Sequence, residues 1–510
     1  MTKRALISVA NKEGIEIFAR GLVDLGYEII STGGTLRTLQ KADVPAIAVD
    51  EVTGFPEILD GRVKTLHPFI HGGLLADASN ENHMEQLQEM GIQPIDVVVA
   101  NLYPFKETLQ NTDASSKDII ENIDIGGPSM LRAAAKNAES TLVIVDPDDY
   151  TPVLEMMKAD DITFQKRQEM AAKVFRHTAQ YDVLIADYFT EQTGTVFPET
   201  YSVTYEKVQG LRYGENPHQQ AAFYEEPLSK HIGISSAKQL HGKELSYNNI
   251  QDANAALEIL SEFNTPAAVA LKHMNPCGVG VGKTLYDAFE KAYLGDTTSI
   301  FGGIVALNRE VDADVADKLA AIFLEIVIAP SFSEDALERL TEKKNIRLLT
   351  IDMEREEAPY KKIVTVKGGA LIQENDWKDI HTDDLNVPTT RKPTEKEMTD
   401  LLFAEKVVTH VKSNAIVLVK DGQTIGVGAG QMNRVGAAKI AIEQAGEKAR
   451  GAVVASDAFF PMPDTVEACA KAGVTAIIQP GGSKKDQESI DSCDSNGIAM
   501  VFTGTRHFKH

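Results

Sequence analysis

From Ala5 to Thr35 the chain alternates short apolar runs with helix-period segments, and that alternation restricts the fold to a parallel sheet covered by helices. Ala5 to Val9 reads as a strand, with Asn11 the predicted N-cap of the helix that follows. Ile15, Phe18, Leu22 and Leu25 recur at helical spacing, Gly26 closes the helix, and Tyr27 to Ile30 is a second strand. Such a βαβ opening carries a right-handed crossover. The second strand runs directly into Ser31-Thr32-Gly33-Gly34-Thr35 and another helix. N–H groups and a helix dipole at that turn suit a phosphate, although glycines there also serve purely steric ends.

The same grammar continues. Gly61-Arg62-Val63-Lys64-Thr65-Leu66-His67-Pro68 carries two cations and a histidine without amphipathic period, and reads as a solvated loop or a second anion-binding arm. Val97 to Ala100 is a buried strand, and Asn101-Leu102-Tyr103-Pro104-Phe105 stands at its C-terminal end, where open α/β sheets bind ligands. Asp124-Ile125-Gly126-Gly127-Pro128 starts a helix whose far end is Lys136-Asn137. Lys136 lies nine residues beyond Gly127, about 13 Å along a helix. Thr141 to Val145 is a further strand, and a long helix runs from Phe164 to Gln192.

At 510 residues the chain is long enough for more than one domain, and its −23 charge disfavours nucleic acid. Turn-rich residues 194–201 break the helical period, which places a 1–195 domain, a 196–201 linker and a 202–510 region. A weak internal echo divides that region into α/β halves at about 202–335 and 395–510, with a charged bridging segment between. Cys277, Cys469 and Cys493 form no CxxC pair, which speaks against disulfides and a thiolate zinc site. No run suits a signal segment or a membrane span, so the expected location is the cytoplasm.

Ala267 to Leu271 is a buried strand that ends on Lys272 and His273. Asn275-Pro276 and Gly278, Gly280 and Gly282 read as a tight loop before a helix from Thr284. The stretch suits reactive side chains at the mouth of a sheet. An ordinary turn with Lys272 and His273 facing water fits it equally well. Gly210 to Gln219 (GLRYGENPHQ) is a polar loop with an Arg-aromatic pair. Glycine turns also carry polar groups at Phe301-Gly302-Gly303, Gly428 to Arg434 and Pro480 to Lys485, while Ser456 to Asp464 (SDAFFPMPD) sets aromatics beside carboxylates. Together they favour a site for a nucleotide-like anion beside a flat ring.

These stretches resemble the family of bifunctional AICAR transformylase/IMP cyclohydrolase enzymes of purine synthesis, from Ile7 to Phe508. STGGT, GRVKTLHP, NLYPF, DIGG and LRAAAKN are similar to the cyclohydrolase domain, which implies a methylglyoxal-synthase-like fold. LRYGENPHQ, KHMNPCG, GAGQMNR and SDAFFPMPD are similar to the transformylase, which implies two cytidine-deaminase-like α/β units without catalytic zinc. The chain has no HxE…PCxxC set. For the cyclohydrolase the resemblance implies nucleotide contacts from Lys12, Thr32, Gly33, Gly34, Thr35, Arg62, Thr65, Asn101 and Ile125. Lys136 would transfer the proton, with Lys64, Tyr103 and Asp124 in the catalytic set. For the transformylase it implies Arg212, Tyr213, Asn254, Gly302, Asn414 and Arg434 around AICAR. Phe459, Asp464, Ser483, Lys484 and Arg506 would hold the folate, and Lys272 and His273 would carry the chemistry. One position departs: relatives carry Asp before the strand where this chain has Glu325, which therefore stays outside the core site.

The resemblance further implies 10-formyltetrahydrofolate as co-substrate, no catalytic metal, a homodimer, and neither nucleic-acid nor membrane partners. Two other functions fit parts of the sequence. One is a single-activity methylglyoxal-synthase-like enzyme, the other a nucleotide-sensing module.

Overall fold

A computed structural model describes residues 2–229, 231–353 and 359–510. The chain forms two compact units, Met1–Tyr205 with Glu226–Leu228 and Glu206–Glu225 with Ser229–His510.

The first unit begins with β1 (Lys3–Val9), α1 (Ile15–Asp24), β2 (Tyr27–Ser31), α2 (Gly33–Lys41), β3 (Ile47–Ala48) and α3 (Val49–Thr53). It continues through α4 (Pro68–Leu75), α5 (Glu81–Glu89), β4 (Val97–Asn101), α6 (Phe105–Gln110), α7 (Ser116–Glu121) and α8 (Gly126–Lys136). β5 (Leu142–Ile144), α9 (Tyr150–Lys158) and α10 (Phe164–Thr193) complete it. The five strands are parallel in the order β3-β2-β1-β4-β5. Successive strand residues face opposite layers. Ile7 packs with Ile15, Phe18 and Leu22, whereas Leu6 packs with Met130, Leu131 and Val174. Burial on both faces is why β1 and β4 read as unbroken apolar runs.

One helix start differs from expectation. α1 begins after Gly14, which takes φ 68°, and the Asn11 side chain instead accepts from the Glu13 N–H at 3.0 Å. The asparagine closes a local turn before the helix and does not cap it.

The second unit opens with the β6 (Glu206–Leu211) and β7 (Ala221–Glu225) ribbon, so the GLRYGENPHQ stretch is a hairpin whose first two residues are strand. Its first half contains β8 (Lys238–His241), α11 (Tyr247–Leu260), β9 (Ala267–Lys272), β10 (Asn275–Val281), α12 (Leu285–Gly295) and β11 (Ile304–Leu307). α13 (Ala313–Ala320), β12 (Ile326–Ala329), α14 (Glu334–Thr341) and β13 (Arg347–Thr350) follow. The sheet order is β10-β9-β11-β12-β13-β8. The first half therefore runs past residue 335, because β13 pairs with β12. The expected bridging segment shrinks to the stretch beyond β13, which includes the β14 (Lys361–Val366) and β15 (Gly369–Glu374) hairpin; its residues 354–358 lie outside the described residues.

The second half is α15 (Glu395–Val408), β16 (Ile416–Val419), β17 (Thr424–Gly428), α16 (Arg434–Ala445), β18 (Val453–Ser456), α17 (Asp464–Ala472), β19 (Ala476–Gln479), α18 (Asp486–Asn496) and β20 (Ala499–Phe502). Its sheet order β17-β16-β18-β19-β20 repeats that of the first half without the edge strand β8. One apolar layer draws on both sheets and on α11 and α15, through residues such as Ala256, Val269, Ala404 and Val417. The hairpin edges also meet, with the Val281 N–H donating to Gly422 O at 3.0 Å.

Of the three glycines expected in a loop after His273, Gly278 and Gly280 lie in β10 and Gly282 directly follows it. A Cβ on Gly278 would stand 1.9 Å from Ala292 O, and one on Gly280 2.4 Å from Ala288 O. Their absence lets α12 press directly onto the strand backbone. Gly426 and Gly428 do the same for α16, each with a Cβ position 2.0 Å from a carbonyl oxygen of that helix.

Candidate active sites

In the first unit most of the expected residues gather at the C-terminal ends of β1, β2 and β4. Asn101 ties two of these ends together: its Oδ1 accepts from Ala10 N at 2.6 Å and Asn11 N at 2.9 Å. Thr35 Oγ1 bonds to both the N–H and the carbonyl of Val9, and Thr32 Oγ1 meets Ser8 Oγ at 2.8 Å. These contacts fix the turn that opens α2. Over it stand two ammonium groups. A Cβ on Gly34 would lie 3.7 Å from Lys12 Nζ, and one on Gly33 3.7 Å from Lys64 Nζ. Bulk at either glycine would invade the space beneath the cations. Helix N–H groups with paired ammonium charges make an anion cradle.

Asp124 sits beside that cradle. Its carboxyl accepts from Gly127 N at 2.9 Å and from the Tyr103 and Gly126 amides. Burial raises its pKa above the ordinary carboxylate value, against the opposing pull of those bonds and of Lys64. A carboxyl that holds its proton more tightly than usual beside an anion site is suited to acid–base work. Thr65 is close too, its Oγ1 3.0 Å from where a Cβ on Gly126 would be.

In the second unit Lys272 and His273 stand at the turn of the β9–β10 hairpin. Lys272 Nζ donates to Phe301 O at 2.8 Å, which leaves two of its N–H bonds for other acceptors. His273 and Met274 take φ of 52° and 61°, the left-handed region that side chains with a Cβ disfavour. The Met274 N–H donates to Asp252 Oδ1 at 2.7 Å. Asn275 links this turn to the second half, since its Oδ1 accepts from Lys412 N at 3.2 Å. Asn414 then bonds Gln431 O at 2.7 Å and accepts from Arg434 Nη2 at 2.8 Å. Arg434 pairs with Asp457, both buried, and burial lowers the guanidinium pKa. Gly302 donates to Phe323 O at 2.7 Å, and the exposed rings of Phe301 and Phe323 lie 5.3 Å apart.

A family model described as AICARFT/IMPCHase bienzyme matches residues 134–444, and one described as MGS-like domain matches residues 14–129. Curated relatives named bifunctional purine biosynthesis protein PurH align along the whole chain. That of Oceanobacillus iheyensis is 64% identical over 510 residues, covering 100% of both chains. That of Anoxybacillus flavithermus is 64% identical over 511 residues, again covering 100% of both. The Bacillus subtilis protein is 62% identical over 509 residues, covering 100% of this chain and 99% of its own. The chain belongs to the AICARFT/IMPCHase bienzyme family.

The MGS-like match runs from α1 into α8 and takes in β2, β3 and β4, and the bienzyme match runs from the end of α8 into α16. Within this family member, Lys12, Thr32, Gly33, Gly34, Thr35, Lys64, Thr65, Asn101 and Asp124 converge on the α2 turn and its neighbouring strand ends. Lys136 does not join them. It is the exposed last residue of α8, about 15 Å along the axis from Gly126. Arg62 is exposed and engaged by Glu121, with Nε–Oε1 at 3.2 Å. Ile125 and Tyr103 present exposed side chains at the rim.

The other expected contacts are more scattered. Arg212 lies over the Tyr213 ring at 5.8 Å, and Asn254 Nδ2 donates to Glu258 Oε1 at 2.9 Å. Phe459, Asp464, Ser483 and Lys484 follow β18 and β19, and Arg506, which lies over Phe508 at 4.3 Å, follows β20. Glu325 pairs with Arg347 at 2.8 Å, a structural partner outside the turn that carries His273. Three groups escape a reading of the sequence. Asp252 holds the His273 turn. Asp457 pairs with Arg434, whose Nη2 donates to Asn414. Glu405, fully buried with both oxygens lacking a hydrogen bond, has its pKa pushed up to about 8 by burial, with His507 Nε2 4.0 Å away. The SDAFFPMPD carboxylates are a signal for Asp457; a lone acid in a helix gives none for the other two.

Among the described residues, no cluster of three or more His, Cys, Asp and Glu is arranged to hold a metal, and no helix is long and apolar enough to cross a membrane. The three cysteines are buried, which pushes their thiols up to about 12 and leaves them unreactive.

Proposed function

We infer that the chain performs the last two steps of IMP synthesis, formyl transfer to the 5-amino group of AICAR and dehydrative ring closure of formyl-AICAR. The observation that carries this is the end-to-end identity to bifunctional PurH proteins, which engages both compact units. A single-activity enzyme would leave the second unit without work, and a sensing module would need neither reaction.

For formyl transfer we propose 10-formyltetrahydrofolate as donor. The AICAR amine is a weak nucleophile because its lone pair is delocalised toward the carboxamide. Its attack on the formyl carbon forms a C–N bond and an oxyanion. Collapse then breaks the bond to the folate nitrogen, which takes up a proton. His273 accepts the proton lost by the amine, and Lys272 stabilises the oxyanion through its remaining N–H bonds. The adjacency of the two residues on a fixed turn supports this pairing.

For ring closure the carboxamide nitrogen attacks the formyl carbon and water departs. Lys12, Lys64 and the α2 N-terminus hold the nucleotide phosphate, and Asp124 shuttles protons. Lys136→Ala tests the remaining assignment. Loss of cyclisation by orders of magnitude, with formyl transfer intact, would make Lys136 catalytic and require a second chain to deliver it. Normal cyclisation would remove it from the site. We also propose a homodimer acting in the cytoplasm, with AICAR and reduced folate as its ligands.

The overall test is turnover of AICAR with 10-formyltetrahydrofolate, followed by absorbance, alongside cyclisation of supplied formyl-AICAR. Activity in both supports the reading; binding of AICAR without either product overturns it.

A further inference from the structure

We propose that Asp252 is a positioning residue for formyl transfer, clamping the His273–Met274 turn in its left-handed shape and so fixing where the imidazole stands. This rests on the reading of His273 as proton acceptor.

Two consecutive residues with side chains hold positive φ here, His273 at 52° and Met274 at 61°. That pattern belongs to type I′ hairpin turns, which prefer Asn-Gly or Asp-Gly because glycine takes positive φ without a steric penalty. Histidine tolerates that region better than most residues but Met274 has no such preference, so something outside the turn must hold its shape. The Asp252 carboxylate is placed to do so. It projects from α11, its Oδ1 accepts the Met274 N–H at 2.7 Å, and the His273 amide also bonds to it.

The second half of the same unit carries an internal control. There the corresponding turn is Asp421-Gly422, at φ 57° and 68°. Asp400 on α15 accepts from Asp421 N at 3.0 Å and from Gly422 N at 2.7 Å. The clamp is thus repeated across the halves, but the second turn has residues that favour the conformation unaided. In the first half the carboxylate, helped by Asn275 Nδ2 donating to His273 O at 3.1 Å, works against the local preference. Its loss would let the turn relax and carry His273 away from the reacting amine.

The experiment uses the full chain and four variants. Asp252→Ala should lower kcat for formyl transfer by roughly 10- to 100-fold, as expected for a small misplacement of a catalytic group, with little change in KM for AICAR. Cyclisation of supplied formyl-AICAR by the same preparation should be unchanged, and the retained KM for AICAR shows that the unit carrying the turn is folded. Asp252→Asn, which keeps an acceptor oxygen, should retain most of the turnover. Adding Met274→Gly to Asp252→Ala should recover much of the loss, because glycine restores the turn without the clamp. Three results overturn the proposal: near-normal formyl transfer in Asp252→Ala, an Asn variant as poor as the Ala variant, or no recovery with glycine. If His273→Ala itself keeps normal turnover, the reading of His273 fails instead, and the two failures are distinguishable.

Discussion

The β9–β10 and β16–β17 hairpins share almost every packing device. Each has two glycines pressed by a following helix, Gly278 and Gly280 against α12, Gly426 and Gly428 against α16. Each has a lysine whose Nζ donates at 2.8 Å to a carbonyl before the next strand, Lys272 to Phe301 O and Lys420 to Arg450 O. Each has an aspartate on the preceding long helix that receives the turn amides. They part at the turn itself, His273-Met274 in one and Asp421-Gly422 in the other. They part again five residues beyond the clamping aspartate, where α11 has Leu257 and α15 has the buried Glu405. The comparison separates what the fold requires of a half from what was added to it. Positions held in common serve the packing of each half, Lys272 and Asp252 included whatever further role they take, and the unfavourable turn pair is where the halves differ.

The sharpest way to break that comparison is to truncate the two turns. His273→Ala should cut formyl transfer on the order of 10²–10⁴-fold while leaving cyclisation intact. Asp421→Ala should leave formyl transfer within about twofold, since ordinary surface changes are small. Equal losses in a kinetic assay would mean that the two turns do not differ in role.

Glu405 offers a test by pH. The folded chain holds its proton up to about pH 8, whereas the unfolded chain releases it near 4.5. Between those values the unfolded state binds fewer protons. The stability contribution is therefore full below about 4.5 and is lost as pH rises toward 8. Glu405→Gln should remove that decline, gaining on the native protein by on the order of a few kcal/mol at pH 8 and much less at pH 5. Parallel urea midpoints of the two proteins across this range would show that Glu405 ionises normally. Leu257→Met, at the matching position, should differ from the native protein by the same amount at every pH in this range.

The shared glycines should respond alike. Gly278→Ala and Gly426→Ala each force a methyl onto a helix carbonyl, at a cost of roughly 1–3 kcal/mol or more in urea unfolding. Tolerance of one and not the other would deny that the two strands are pressed equally. The smallest expected effect concerns backbone preference. Met274→Gly should stabilise by about 1 kcal/mol and Gly422→Ala should destabilise by about as much, because a side chain in the left-handed region costs about that amount. If both changes destabilise, Met274 packing outweighs its strain.

The sequence alone determined the family and the strands buried on both faces. β1, β4, β9 and β16 are buried on both faces, so their apolar runs announce them without reference to any partner. The anion turn at Gly33-Gly34 and the Lys272-His273 pair were legible for a similar reason, since contiguous residues carry them. Tertiary structure decided the rest. Glycine's local preference says turn, so β10 reads as a loop; only the approach of α12 makes glycine the strand residue. Lys136 belongs to a recognisable motif, yet the length of α8 separates it from Asp124. Asp252 and Met274 are 22 residues apart, and Arg434 and Asp457 are 23 apart. Nothing in either local segment requires the other. Those partners are chosen by the packing of helices on sheets, because a buried amide or guanidinium without an acceptor is costly and the acceptor is whatever the fold brings within reach.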